Sequence, residues 1–386
     1  LSPAPFPISL WAEPIPYKPQ NHAGLCKNQT APTCTHYLNT TIMKTSFALT
    51  FLFTALLLSS CGLKSDVKVL KLGHTLDTKH SVHIAMQYMA DRVEEISEGK
   101  LRIEVYPGGV LGTERESLEL LQLGSLDLTK VSAAAMEGFV EEYKVFGLPY
   151  IFTSKEHAFS VLDGPIGKSM LAKGEQFWLR GLCFYDAGAR SFYTAKPIQT
   201  PTDLAGLKIR VMQSITAVEM IRAMGGSPTP ISWGELYTAL QSGVVDGAEN
   251  NPPSFYLSYH YEVSGNYTLN EHTMIPDVMI MSTHAWDKLN DQEKAWLQQA
   301  VEESVVVQRK EWQKSEEASL AALAEEGVNI IVPDKQPFID AVQGVYNIYR
   351  DNKSVYDLIQ DIRNANLPQA ETLETSTEDL ENSTEQ

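Results

Sequence analysis

Val67 to Val131 reads VKVLKLGHTLDTKHSVHIAMQYMADRVEEISEGKLRIEVYPGGVLGTERESLELLQLGSLDLTKV, and two hydrophobic periods alternate along it. Val67 to Gly73 is a short apolar run, the pattern of a buried strand. From Lys79 to Glu98, apolar residues recur at Val82, Ala85, Met86, Met89, Val93 and Ile96, the spacing of one helix face. Gly99 follows, the residue type that closes helices. Leu101, Ile103 and Val105 then alternate with Arg102, Glu104 and Tyr106, which predicts a strand. Thr113 to Gly124 predicts a second helix, again closed by glycine, and Leu126 to Val131 a third strand. Strand, helix, strand, helix, strand implies an α/β fold with a parallel sheet and helices on its faces.

The same alternation returns after Arg190. Leu207 to Val211 predicts a strand, with Ile209 and Val211 on one side and Lys208 and Arg210 on the other. Ala217 to Met224 predicts a helix, Gly234 to Gly243 another, and Val244 to Ala248 the strand after it. Two α/β units therefore join near residues 187–190. Beyond them, Asn290 with Glu293 resembles a capping box, and no proline or glycine interrupts the helical pattern before about Glu326. At 1.5 Å per residue such a helix is about 50 Å long, more than one unit is wide. The expectation is a two-lobed protein, each lobe a mixed sheet flanked by helices, with the long helix spanning both. Residues 66–187 plus 276–315 form the first lobe and 188–275 plus 316–366 the second.

Composition narrows the function. The formal charge is −17, from 48 acidic and 31 basic residues, which argues against nucleic acid because phosphate binding needs a basic surface. Any acid bound here must meet locally placed arginines. The four cysteines, Cys26, Cys34, Cys61 and Cys183, form no C-x-x-C pair, so no metal site and no disulfide framework is expected. Cys183 lies in an apolar stretch and reads as core.

Both ends are set apart from the fold. From Met43, Lys44 precedes an apolar run from Phe47 to Leu58, and Leu58-Ser-Ser-Cys61 resembles a bacterial lipobox. Residues 43–60 then read as a lipoprotein signal peptide, with a lipid on Cys61 as the only attachment to a membrane. Residues 1–42 precede that signal and read as an extension of the gene model. Residues 369–386 carry six acids and no bases, an acidic solvated tail.

Seven stretches in order carry a family resemblance: Glu98 to Pro107, Leu111 to Arg115, Leu148 to Phe152, Gly188 to Tyr193, Asp203 to Val211, Glu235 to Leu240 and Asp246 to Asn251. Across about residues 66–365 the chain resembles the solute-binding proteins of tripartite ATP-independent periplasmic (TRAP) transporters, the DctP family. The resemblance implies a two-lobed periplasmic-binding-protein-like fold and capture of a small-molecule carboxylate for the transporter's membrane subunits. It further implies a periplasmic location, no cofactor and no enzymatic activity; a monomer is expected. Asn250-Asn251 before Pro252-Pro253-Ser254-Phe255 resembles the sugar-acid, uronate-like branch. C4-dicarboxylates or other organic acids, and a sensor not coupled to transport, are the alternatives.

The resemblance also implies a site. Arg210, in Lys-Ile-Arg-Val, matches the carboxylate-binding arginine, and a guanidinium offers two parallel N–H bonds to a carboxylate. Arg190 is the second arginine, and Asn250 an amide near the ligand's carboxylate end. Glu249 could accept sugar hydroxyls or orient Arg190. Trp233 could cover a sugar's apolar face, Gln213 bond hydroxyls or water, and His272 join a water network beside the cleft. From the first lobe, Glu114 opens the second helix, where it could accept hydroxyls or simply favour the helix N-terminus. His74, His80, Lys130 and Ser132 lie at strand ends, where open α/β sheets place ligands.

Enzyme motifs are weak. Gly167-Lys168-Ser169 looks like the end of a P-loop, but Leu162 stands where that motif needs glycine. His74, His80 and His83 lack a typical fourth metal ligand.

Overall fold

The structure, a computed structural model, describes residues 67–365. The expected leader, Cys26, Cys34, Cys61 and the acidic tail lie outside the described residues. Eleven strands are present among those described: β1 Lys68–Gly73, β2 Leu101–Tyr106, β3 Leu128–Ser132, β4 Leu179–Tyr185, β5 Arg190–Thr194, β6 Lys208–Val211, β7 Ser227–Pro230, β8 Gly247–Asn250, β9 Asn266–Thr273, β10 Asp277–Ser282 and β11 Asn329–Ile331. They form two sheets, ordered β2-β1-β3-β10-β4 and β11-β9-β5-β8-β6-β7.

The parallel core of the first sheet is as expected: β1 runs parallel to β2 and to β3. Antiparallel β10 is inserted between β3 and β4 and makes the sheet mixed. In the second sheet β6 is parallel to β7 and β8, whereas β5 runs antiparallel to β8 and β9. The helix Ser81–Ile96 buries Val82, Ala85, Met86, Met89 and Val93, five of the six residues of its expected face. It ends at Glu98-Gly99, both at positive φ, with Gly99 N–H bonding Glu94 O.

Three readings need correction. The run from Val67 is not buried throughout: β1 begins at Lys68, Val67 before it is 44% exposed, and Val69 within it is 42% exposed because the strand alternates. Gly234 to Gly243 is a short 3-10 turn, Trp233–Glu235, followed by a helix of only six residues, Leu236–Gln241. The strand expected over Val244–Ala248 begins at Gly247, because residues 242–246 form a turn through Gly243 at φ +70°. That shift places Glu249 and Asn250 inside a buried strand.

The long helix is Asp291–Glu325, with Asn290 and Glu293 in a reciprocal capping box. Near its start Leu297, Ala300 and Val301 pack with Leu72, Met86 and Met279 of the first sheet's core. Near its end Leu323 packs with Tyr193, Phe255 and Tyr267 of the second. It thus spans both sheets. A third cluster joins residues on both sides, among them Phe146, Ile221 and Ile359.

The chain crosses between the sheets at residues 186–189 and 274–276 and through the long helix. At the first crossing the Gln308 side-chain amide bonds both backbone groups of Asp186, accepting from its N–H (2.9 Å) and donating to its C=O (2.7 Å). Gly188 follows at φ +58°, and a Cβ there would lie 2.9 Å from Glu316 Oε1 and 3.1 Å from the Trp312 ring. Left-handed backbone costs a non-glycine residue roughly 1–2 kcal/mol, and overpacking roughly 1–3 kcal/mol. Gly188→Ala should therefore lower unfolding free energy by about 2–5 kcal/mol, read by urea denaturation. A change within 0.5 kcal/mol, the scatter of a neutral surface substitution, would show that the crossing relaxes freely.

Candidate functional site

A cavity of about 360 Å³ is lined from both sheets. Nine of the twelve residues expected at the site line it: Arg190, Arg210, Gln213, Trp233, Asn250, Glu114, His80, Lys130 and Ser132. Glu249, His272 and His74 do not.

Arg210 lies in β6, only 2% exposed. Its Nε donates to Ile231 O at 2.8 Å, since β6 and the turn after β7 run side by side. Its Nη1 is buried and has no protein acceptor. Burial pulls the guanidinium below its ordinary pKa. The half-buried Trp233 ring lies beside it, 5.9 Å from Cζ to ring centroid. Gln213, exposed, stands at the rim.

Arg190 is equally buried but fully engaged. Its Nε bonds Glu249 Oε2, its Nη2 bonds Glu249 Oε1 (2.9 Å) and Glu249 O (2.8 Å), and its Nη1 bonds Asn250 Oδ1 (2.8 Å). Antiparallel pairing of β5 with β8, Ser191 opposite Asn250, brings the start of one strand beside the end of the other. Of the two readings of Glu249, the structure supports orientation of Arg190: its carboxylate sits behind the arginine, outside the cavity lining. Burial alone would raise that carboxyl, but the charge and hydrogen bonds of Arg190, with His272 close behind, hold it at about 2. Asn250 Oδ1 is consumed by Arg190 and by the Asn251 N–H, so its amide offers the cavity donors and no acceptor. His272 is wholly buried behind Glu249, 3.5 Å from Oε2, and stacks on Phe192.

On the opposite wall, Lys130 and Ser132 share one face of β3, and Asp277 of β10 pairs directly across from Ser132. Lys130 Nζ lies 3.2 Å from Asp277 Oδ2 and 3.5 Å from Glu114 Oε1. Glu114 Oε1 also accepts from Ser132 N–H at 3.1 Å. Burial, above all, pushes the Asp277 carboxyl up to about 6, with Lys130 opposing. His80 caps the helix Ser81–Ile96, its Nδ1 accepting from Val82 N–H, and its Nε2 lies 3.5 Å from Ser254 Oγ. Burial, then the charges of Lys130 and His83, lowers it to about 3, so it is neutral. His74 is displaced from the site because its ring nitrogens are used within the first unit, by Leu76 N–H (3.2 Å) and His83 (3.0 Å).

Sequence reasoning missed Asp277, Asn251, Ser254 and Trp312, which also line the cavity. The signal for Asp277 was one acid opening the apolar run Val278 to Met281. Asn251 caps the helix Pro252–Leu257 and donates to Ala187 O at the crossing.

A two-sheet α/β fold with a long spanning helix and a cavity holding one unpaired guanidinium defines a class of small-acid binding proteins. A family model described as bacterial extracellular solute-binding protein, family 7 (DctP), matches residues 72–352, and the chain belongs to that family. It is 39% identical over 304 residues to the uncharacterized protein YiiZ of Salmonella typhimurium, covering 77% of this chain and 91% of that protein. Among solved structures it is similar to a TRAP periplasmic solute-binding protein from Xanthobacter autotrophicus with bound β-D-galacturonate, with TM-score 0.75 and 37% identity over 77% of this chain and all of that one. A second, from Pseudomonas putida with bound D-glucuronate, has TM-score 0.75 and 34% identity over 79% of this chain and 99% of that one.

Removing Glu249 isolates a buried guanidinium, a change that typically costs about 3–5 kcal/mol. Because the Glu249 carboxyl sits at about 2 in the folded chain against an ordinary 4.5, its contribution is complete above about pH 4.5 and fades as pH falls toward 2. Glu249→Gln should be less stable at pH 7 by that amount, and the gap should narrow between pH 4.5 and 3. Denaturation series at pH 7, 4 and 3 check this; a pH-independent gap would rule out Glu249 as the titrating group.

Proposed function

We propose that this chain captures a sugar acid, a hexuronate such as D-galacturonate or D-glucuronate, and passes it to TRAP membrane subunits. The carrying observation is Arg210, a buried guanidinium with an unsatisfied Nη1 in a cavity whose other lining cations, Lys130, Arg190 and Arg115, each face a carboxylate. An isolated buried charge is costly, and a ligand carboxylate supplies the missing partner in a bidentate pair. Asn250 adds amide donors at the same end, Trp233 an apolar ring, and Lys130, Glu114, Asp277 and Ser132 a polar wall for hydroxyls. Hexuronate binding by two solved proteins of this fold, at 37% and 34% identity, supports the choice of ligand.

The proposal extends to mechanics and place. The lobes, 66–187 plus 276–315 and 188–275 plus 316–366, close about the crossings, trapping the ligand. The ligand leaves chemically unchanged. The protein works as a monomer in the periplasm, anchored through a lipid on Cys61. Mass spectrometry of the membrane fraction should find Cys61 at the N-terminus bearing a thioether-linked diacylglycerol and an acylated amine, and Cys61→Ala should abolish the lipid; a mature protein retaining residues 1–42 would contradict the anchor.

Truncating one partner of a buried charged pair costs roughly 2–5 kcal/mol, or about 30- to several-thousand-fold in Kd. Arg210→Ala should lose that much hexuronate affinity. Arg210→Lys should also bind weakly, since an ammonium cannot reproduce the fork. Calorimetry on folded variants decides: binding within threefold of wild type would move the carboxylate anchor to Arg190.

A further inference from the structure

Resting on the sugar-acid reading, we infer that the cavity admits only one carboxylate, and that Asp277 is a specificity-determining residue that excludes a second. The argument is one of charge and geometry. Arg190 spends its guanidinium on Glu249 and Asn250. Arg210 can hold one carboxylate. A second carboxylate on the same ligand would need Lys130, the remaining buried cation of the lining.

Lys130 is already shared. It is 3% exposed and lies between Asp277 Oδ2 at 3.2 Å and Glu114 Oε1 at 3.5 Å. These three charges sum to −1. The register holds them there: Ser132 pairs with Asp277 across β3 and β10, and Ser132 N–H fixes Glu114. Among the described residues the rim adds no free cation, because Arg115 pairs with Glu119 while Glu116 and Glu235 face the same cavity. Neutral His80 adds none either. A second ligand carboxylate would thus be a third anion around one ammonium, with little water to screen it.

Hydroxyls meet the opposite reception. Carboxylates accept O–H donors in short, charge-assisted bonds. The anomeric end of a hexuronate is a neutral hydroxyl and fits this wall. The corresponding aldarate, with that carbon oxidised to a carboxylate, does not. An aldonate has a single carboxylate and remains acceptable.

The test is calorimetric titration of the full-length protein with D-galacturonate, D-galactonate and galactarate, with D-glucuronate and D-glucarate alongside. It is run at pH 8, above the value of about 6 for Asp277. Like-charge juxtaposition in a desolvated site should favour each uronate over its aldarate by ~100-fold or more. Asp277→Asn should cut that preference to ~10-fold or less, mainly by strengthening aldarate binding. Glu114→Gln, which removes the other carboxylate beside Lys130, should move the ratio the same way and serves if Asp277→Asn does not fold. Wild-type aldarate binding within tenfold of the uronate, or a ratio unmoved in every folded variant, overturns the inference while leaving the sugar-acid reading intact. If none of the five sugar acids binds, the reading itself falls and the inference with it.

Discussion

Arg210 keeps a guanidinium almost wholly out of water with one hydrogen bond from Nε to Ile231 O and a buried Nη1 that bonds nothing. Leaving a buried charge unpaired costs several kcal/mol, comparable with a domain's whole stability. A fold tolerates that cost where a ligand repays it. The burial that lowers the Arg210 pKa also weakens competition from water, so in the proposed role a ligand carboxylate would meet an Nη1 donor that is already desolvated.

The rest of the cavity makes this imbalance specific. Arg190 is as buried as Arg210, but Glu249 cancels its charge and Asn250 fixes its fork. Lys130 is held by two carboxylates. Each pairing depends on strand register: β5 against β8 for the first, β10 against β3 for the second. A one-residue slip in either ladder would turn the partner to the other face of its sheet and leave further buried charges uncompensated. The sheets therefore set which cations are spent and which one is available.

The fold was largely legible because both lobes announce themselves in period. The helix at 81–96, the parallel strands around it and the capping box at Asn290 follow from local pattern. What local pattern could not show was pairing between distant strands. Arg210 alternates with Ile209 and Val211 as a surface arginine would, and its burial comes from elements far along the chain. Glu249 and Asn250 looked like loop residues after a strand; they are strand residues, because the Gly243 turn delays β8. Asp277 carries no motif, and its place opposite Ser132 exists only through the insertion of β10. His74 shows the reverse error: a strand-end histidine suits a ligand site by rule, but here His83 and Leu76 use both ring nitrogens.

The crossing at 186–189 links these layers. Gln308 from the long helix holds both backbone groups of Asp186, Asn251 holds Ala187 O, and Gly188 packs without a side chain against Trp312. Arg190 is the second residue after that glycine, so the long helix and Asn251 fix where β5 begins and hence where its guanidinium meets Glu249. Asn251 also caps the helix whose Ser254 faces His80 of the first unit. The backbone that joins the two sheets is thus the backbone that aims the site. A hinge placed here can change the separation of the cavity walls while each wall keeps its own charge pairs, because Arg190–Glu249 lies within the second sheet and Lys130–Asp277 within the first. Among the described cations lining the cavity, Arg210 alone faces no carboxylate, and under the proposed function it is the group whose electrostatic balance closure on a ligand carboxylate would change.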